Sequence, residues 1–416
     1  MRRIVFVFFV PFFLFAQSYS LKTLIIHAQK NNGLMKEKVL NIQSKEKEIE
    51  AVKSAYWPTV DVGADYSFQS PKYVVSPGRT GNVFISAKLN LYDGGRKEAV
   101  LRGKGFEHEA SLFEKTAFEK SMTLRIVRYY YAAKQYAATL KALKVRSEEL
   151  KAQIVRIKKF KLTGLATQEE VDKLQSAYDN NQYMIENTTL AVESSEENLK
   201  LISGLSAKYL RRNYFMEPGN VHFEWFENIK ILQANAHSID ENAKAIDAGY
   251  LPQVNLSDTY HRSHFNDLVS IPGVGADSFL MNHQNKVEIS INMRIFDHGK
   301  MAKESEAVKY RRLALVSRIA QAKKEQKMNF KLAKKGLNTT KEKIKSAKSA
   351  LKAATSTYKV LKQKFEAGLV DDIAYLDALT QMTLAKASYK ETVYDYEVKK
   401  SIYYYYAGKD PKEFIK

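Results

Sequence analysis

The stretch VFISAKLNLYDGGR, residues 83–96, holds two structural periods and the signal that separates them. Val83, Ile85, Ala87, Leu89 and Leu91 alternate with Ser86, Lys88 and Asn90, the period of two that puts apolar side chains on one face of a strand. Asp93-Gly94-Gly95 ends that pattern, and beyond Arg96 the apolar residues step by three and four. The stretch VEISINMRIFDHGK, residues 287–300, follows the same plan, with Val287, Ile289, Ile291, Met293 and Ile295 on one face. Asp297-His298-Gly299 stands where Asp93-Gly94-Gly95 stood. Gly94, Gly95 and Gly299 therefore read as strand-to-helix turns.

Each stretch has a partner strand ahead of it. Val60, Val62, Ala64, Tyr66 and Phe68 alternate cleanly with polar residues, and a weaker run from Val254 to His261 puts Asp258 on its apolar face. Strands are expected at about 59–69, 83–92, 253–261 and 286–296, with Pro- and Gly-containing loops inside each pair. Runs of about ten residues with one apolar and one charged face fit tilted membrane-spanning strands as well as a half-buried soluble sheet.

Downstream of the turns the chain becomes long helices. Met122, Ile126, Tyr129, Ala133, Tyr136, Leu140, Leu143, Leu150, Ile154 and Ile157 form a coiled-coil seam that only Ser147 breaks. It resumes after Gly164 at Val171, Leu174, Tyr178, Ile185, Val192, Leu199 and Ile202, with polar Asn181, Thr188 and Ser195 between them. In the second half Ile344, Ala347, Leu351, Ala354, Tyr358, Leu361 and Phe365 lead to Gly368. Gly164 and Gly368 are read as hairpin-tip turns. From Gly95 to Gly164 is roughly 70 residues, on the order of 100 Å of helix.

Three landmarks recur in one order: Pro58 and Pro252, Gly95 and Gly299, and Gly164 and Gly368, at offsets of 194, 204 and 204. The chain thus reads as one unit written twice. The expected division is a first repeat at 21–204 with its hairpin at 95–202, a linking or equatorial region at 205–235, and a second repeat at 236–416 with its hairpin at 299–405.

Met1-Arg2-Arg3, the apolar run Ile4–Phe15 and small residues at Ala16, Ser18 and Ser20 describe a signal peptide at 1–20, cut after Ala16 or Ser20. Beyond it no apolar run is long enough for a membrane helix, so any spanning must use strands. The 416 residues include no Cys, which removes disulfides, zinc–thiolate sites, thiol nucleophiles and lipid attachment through cysteine. The net charge of +20 would suit nucleic acid in the cytoplasm, but export removes that partner.

These residues resemble the TolC-type outer-membrane efflux proteins over nearly the whole mature chain. The resemblance rests on Ser20-Leu21-Lys22, Ala28–Asn32, Trp57-Pro58, Leu91–Arg96, Phe365–Leu369, Tyr375-Leu376-Asp377-Ala378 and Tyr403–Gly408. It implies an α+β membrane protein with long coiled-coil hairpins and four transmembrane strands per chain. In a homotrimer these strands complete a twelve-stranded barrel above a helical tunnel. It further implies an outer-membrane exit channel for efflux or type I secretion, with outer-membrane lipid, a periplasmic adaptor and an inner-membrane pump of RND or ABC type as partners. Four strands alone have open edges that a bilayer does not tolerate, so closure by other chains follows physically as well. Asp258, and His298 in place of Gly94, depart from the first copy's pattern.

No catalytic constellation is visible: the eight His are scattered, and triads, phosphate loops and H-E-x-x-H are absent. No enzyme activity, cofactor or metal is expected. Residues 321–364 hold fourteen Lys against Glu325 and Glu342, which reads as a solvated face or as a docking surface for an acidic partner. Asp371, Asp372 and Asp377 follow Gly368 and are open to two readings. They cap a helix by interacting with its dipole, or they ring the tunnel's periplasmic gate, as the resemblance implies for Asp377 in particular. The family's second gate aspartate is replaced here by Ala374. The rival classes are a periplasmic adaptor, which pairs one hairpin with compact β domains, and a structural coiled-coil envelope protein, which needs no strands.

Overall fold

The computed structural model describes residues 18–270, 272–275 and 278–416, so the signal segment lies outside the described residues except for Ser18 to Ser20. Helices α1 (Leu21–Asn31) and α2 (Gly33–Ser54) lead into strands β1 (Thr59–Phe68) and β2 (Arg79–Tyr92). The hairpin α3 (Arg96–Leu162) and α4 (Gln168–Ser203) follows, then α5 (Glu227–Asp247), β3 (Gln253–Asn266) and β4 (His283–Asn292). A second hairpin, α6 (Lys300–Glu366) and α7 (Asp372–Tyr406), closes the order.

The chain forms two compact units. One holds residues up to Glu37, Lys115–Glu227 and Lys323–Lys416, and the other holds Lys38–Glu114 and Asn228–Ala322. Each draws on both halves of the chain, so these units are a different division from the sequence repeats.

In the first unit the coiled-coil spacing is realised as burial. Met122, Ile126, Ala133, Leu143, Leu150, Ile154 and Ile157 of α3 are buried, as are Val171, Leu174, Ile185, Leu199 and Ile202 of α4. The polar interruptions find partners of their own: Asn181 donates to Leu143 O at 3.0 Å, Gln182 donates to Ser147 Oγ at 2.8 Å and Ser195 donates to Ala191 O at 2.9 Å. A buried polar group costs little once it is paired. The seam expected at Tyr129 and Tyr136 is displaced, because Tyr130 and Tyr131 are the buried pair and Tyr136 is exposed. The cause is the extended segment Leu205–Phe226, whose backbone needs partners: Tyr131 donates to Asn213 O, Tyr404 to Met216 O and Lys400 to Phe215 O. α1 packs Leu21, Leu24 and Ile25 into the same core and is capped by Ser20, which accepts from Thr23 N.

In the second unit the strands form one antiparallel sheet in the order β1-β2-β3-β4, with β1 and β4 at the edges. β2 begins four residues before the expected start, β3 runs five residues past its expected end, and β4 covers 283–292 rather than 286–296. The reason is pairing: Arg79 reaches Phe68 on one side and Asn266 on the other, so hydrogen bonding extends past the clean alternation.

Candidate functional site at the hairpin tips

Both hairpins of the first unit turn the same way. Gly164 and Gly368 sit at φ +76° and +73°, a region costly for residues with a Cβ. The Leu165 N–H returns to Phe160 O at 2.9 Å and the Leu369 N–H to Lys364 O at 2.8 Å, which satisfies the last carbonyls of α3 and α6. α4 then starts from a capping box between Thr167 and Glu170. α7 starts from Asp371, whose carboxylate accepts from Ala374 N at 2.9 Å.

The tips are held by an apolar cluster of Leu150, Ile154, Ile157, Val171, Leu174, Tyr375 and Leu379. The Tyr375 ring stacks on Phe365 at 4.6 Å and its hydroxyl donates to Glu149 at 2.7 Å. Glu149 also receives Lys362 at 2.8 Å and Gln153 at 3.1 Å. Burial alone would raise the Glu149 carboxyl, but those donors outweigh it and hold it below the usual carboxylate range. Burial and the Glu149 contact push the Tyr375 hydroxyl far up, so it stays a donor. Arg156 donates to Glu366 O at 2.5 Å and lies over the rings of Phe160 and Phe365.

The three sequence-predicted acids divide by role. Asp371 is the cap. Asp372 is 5% exposed, and its Oδ2 has no hydrogen-bond partner among the described residues. Asp377 is exposed, and Gln381 donates to its carboxylate at 3.5 Å. Asp372 and Asp377 line one open groove of about 850 Å³ together with Arg146, Asp172, Leu376 and Thr380. Sequence reading missed Glu149 and Lys362, which look like any surface charges on a coiled coil; only their contact with buried Tyr375 sets them apart.

The strand-to-helix turns lie in the second unit. Asp93 Oδ2 accepts from Lys97 N at 3.0 Å, and Asp297 accepts from Gly299 N, Lys300 N and Met301 N. A Cβ on Gly94 would lie 2.6 Å from Leu251 Cβ and 2.7 Å from Ala248 O, and its φ of +74° is left-handed besides. His298 takes the matching position with φ +54°, a region His enters more readily than most residues.

The sheet supplies the last surface. Its apolar rows run Val62–Ile85–Tyr260 and Leu89–Leu256–Ile289, and its other face carries rows such as Thr59–Lys88–Ser257–Glu288. Among the described residues the apolar face is bare: Val60, Val62, Ile85, Val287, Ile289 and Ile291 are all exposed. Among the described residues no helix is long and apolar enough to cross a membrane.

The family model of outer membrane efflux proteins matches residues 24–205 and 227–399. The chain belongs to the outer membrane efflux protein family. No curated protein sequence matches it. Its fold is that of solved relatives at low identity. A membrane protein from Pseudomonas aeruginosa superposes with a TM-score of 0.80 at 14% identity, covering 93% of each chain. The Campylobacter jejuni CmeC outer membrane channel gives 0.80 at 13%, covering 93% of this chain and 85% of that one. The Vibrio cholerae outer membrane protein VceC gives 0.77 at 13%, covering 94% and 96%. As an outer membrane efflux protein, the chain is an outer-membrane channel component, and its bare apolar sheet is the part that suits lipid.

Proposed function

We propose that three copies of this chain assemble as a passive exit channel of a tripartite efflux or type I secretion system. Twelve strands would close one barrel, and the hairpins would line a tunnel reaching into the periplasm. An inner-membrane pump of RND or ABC type would deliver substrate through a periplasmic adaptor, and the channel itself would need no cofactor. The observation that carries this reading is the four-stranded sheet with one bare apolar face and two unpaired edges. Such a sheet is stable in a bilayer only when closed by further strands.

In this reading the tips form the periplasmic mouth and Asp377 faces its opening. Asp372 adds negative field from within the groove, while Asp371 is committed to its helix. Symmetry-related carboxylates at a constriction repel one another and attract multivalent cations. Single-channel recording tests this. Asp377→Ala should lower cation preference and weaken block by trivalent cations added from the periplasmic side. If only Asp372→Ala alters both, the gate belongs to Asp372; if neither does, these acids are structural.

A further inference from the structure

The apolar face of the sheet changes character along its strands. Counted from the end where the strands meet helices, its rows run Val254–Ile291, Leu89–Leu256–Ile289, Val60–Ala87–Asp258–Val287 and Val62–Ile85–Tyr260–Asn285. Towards the end that carries the loops at 69–78 and 267–282 they continue as Ala64–Val83–Arg262–His283, Tyr66–Gly81–His264 and Phe68–Arg79–Asn266. The rows near the helices hold a single charged residue, Asp258. The three rows near the loops hold Arg79, Arg262, His264 and His283, all exposed, and no carboxylate.

The basic residues stand at one height. Two residues of a strand tilted by about 40° rise about 5 Å along the membrane normal, so Arg262 lies roughly 20 Å and His264 roughly 26 Å above the Val254–Ile291 row. The apolar band of an outer-membrane barrel is about 25 Å tall, so these rows fall at its upper boundary, where acyl chains give way to headgroups. The rows of the opposite face near the same height, Asp65–Asn82–Ser263 and Ser67–Thr80–Phe265, hold no basic residue. Positive charge at this level is therefore confined to the side that meets lipid.

Three of the four form a cluster. Arg262 and His283 are paired directly across β3 and β4, and His264 follows two residues along β3 on the same face. Such neighbours stand about 5 Å apart across strands and about 7 Å apart along one, close enough for three donors to share one phosphate. Arg262 supplies a permanent cation with forked donors, and each imidazole supplies a ring N–H. Among the described residues no carboxylate pairs with Arg262. Asp267, just past β3, is bound by Lys72 at 2.6 Å and also feels the charge of Arg79, while Asp65 accepts from Asn82 on the other face. An arginine facing lipid without a carboxylate calls for an anion from outside the chain.

We propose that Arg262, His264 and His283, with Arg79 beside them, bind a phosphate of the glycolipid that forms the outer leaflet of the outer membrane. This rests on the channel reading above and names the headgroup that its barrel meets. The aromatic residues suit the same occupant. A Cβ on Gly81 would come within 3.3 Å of the Tyr66 ring, so Tyr66 lies across the row beside His264, and Phe68 packs edge-on against Tyr66 at 5.1 Å. Aromatic rings at this depth mark the boundary between acyl chains and the polar headgroup.

Native mass spectrometry of the detergent-solubilised channel, supplied with lipid A that carries its phosphates, reads the lipid held by each chain. Wild type should hold it, and Arg262→Gln combined with His264→Gln should bind it roughly ten-fold more weakly or worse, as the loss of charge-assisted hydrogen bonds requires. Arg262→Gln alone, which keeps a polar side chain of similar length, should show most of that loss. Lys286→Gln, on the opposite face beside Thr259, should change nothing. Dephosphorylated lipid A should bind wild type no better than phosphorylated lipid A binds the double variant. Equal binding by wild type and both Arg262 variants, in assembled channels, overturns the inference and leaves the channel intact. Phosphatidylglycerol or inorganic phosphate held as tightly as lipid A overturns it as well, because the patch would then be a general anion surface. A wild-type chain that neither assembles nor enters outer membranes would sink the channel reading and this inference with it.

Discussion

Replacing Val62 by Arg tests which solvent the sheet faces. Val62 is 74% exposed on β1, with Ile85 directly opposite and Tyr260 beyond it. The nearest carboxylate on that face of the sheet, Asp258, is two strands away and one row off, so among the described strands an arginine at 62 has no carboxylate neighbour. On a water-facing sheet the change would be nearly neutral. Near the midplane of a bilayer it costs about 2–4 kcal/mol, or roughly 30- to 1,000-fold in the folding equilibrium of each chain. Ser257→Arg, set between Lys88 and Glu288 on the opposite face, gains a carboxylate neighbour and should be tolerated. Urea titration of the protein refolded into lipid vesicles, beside the yield of assembled protein in outer membranes, reads both variants. Equal tolerance of Val62→Arg and Ser257→Arg would refute a lipid-facing apolar face.

Asp258 sits in the row Val60–Ala87–Asp258–Val287, and Asp258→Leu should stabilise the barrel by about 1–2 kcal/mol in the same titration. Gly94→Ala meets both a left-handed φ and a clash, whereas Gly299→Ala has open space around its Cβ. The first should therefore lose clearly more than the about 1–2 kcal/mol expected of the second, as seen by limited proteolysis at the turns. Because Glu149 is held below its ordinary value of 4.5 when folded, its contribution is present above that pH and lost as pH falls through the lowered value. Hydrogen-exchange protection in the first turns of α7, corrected for the intrinsic rate at each pH, should fall on acidification below about 4.5, and Glu149→Gln should flatten that response. A wild-type response unchanged by Glu149→Gln would place the acid sensitivity elsewhere.

The elements most legible in the sequence were those with a long, clean period. The α3 and α4 seams were readable down to Asn181 and Ser195, because a step of 3.5 over many turns has one structural solution. Gly164 and Gly368 were readable because a left-handed turn between two seams calls for glycine. Strand ends were less legible, since backbone pairing at Arg79 and Asn266 does not need alternating side chains. The Tyr130–Tyr131 pair was hidden, because its burial comes from a segment some eighty residues away that carries no period of its own. At the tips the acids stood out by position, while the Glu149–Lys362–Tyr375 set exists only through the meeting of three helices.

The most direct test of the central claim is native mass spectrometry of the protein extracted from outer membranes in mild detergent. A trimeric exit channel predicts three copies of the chain per particle, without covalent lipid. A particle of one or two chains, or recovery from the inner membrane alone, would contradict it.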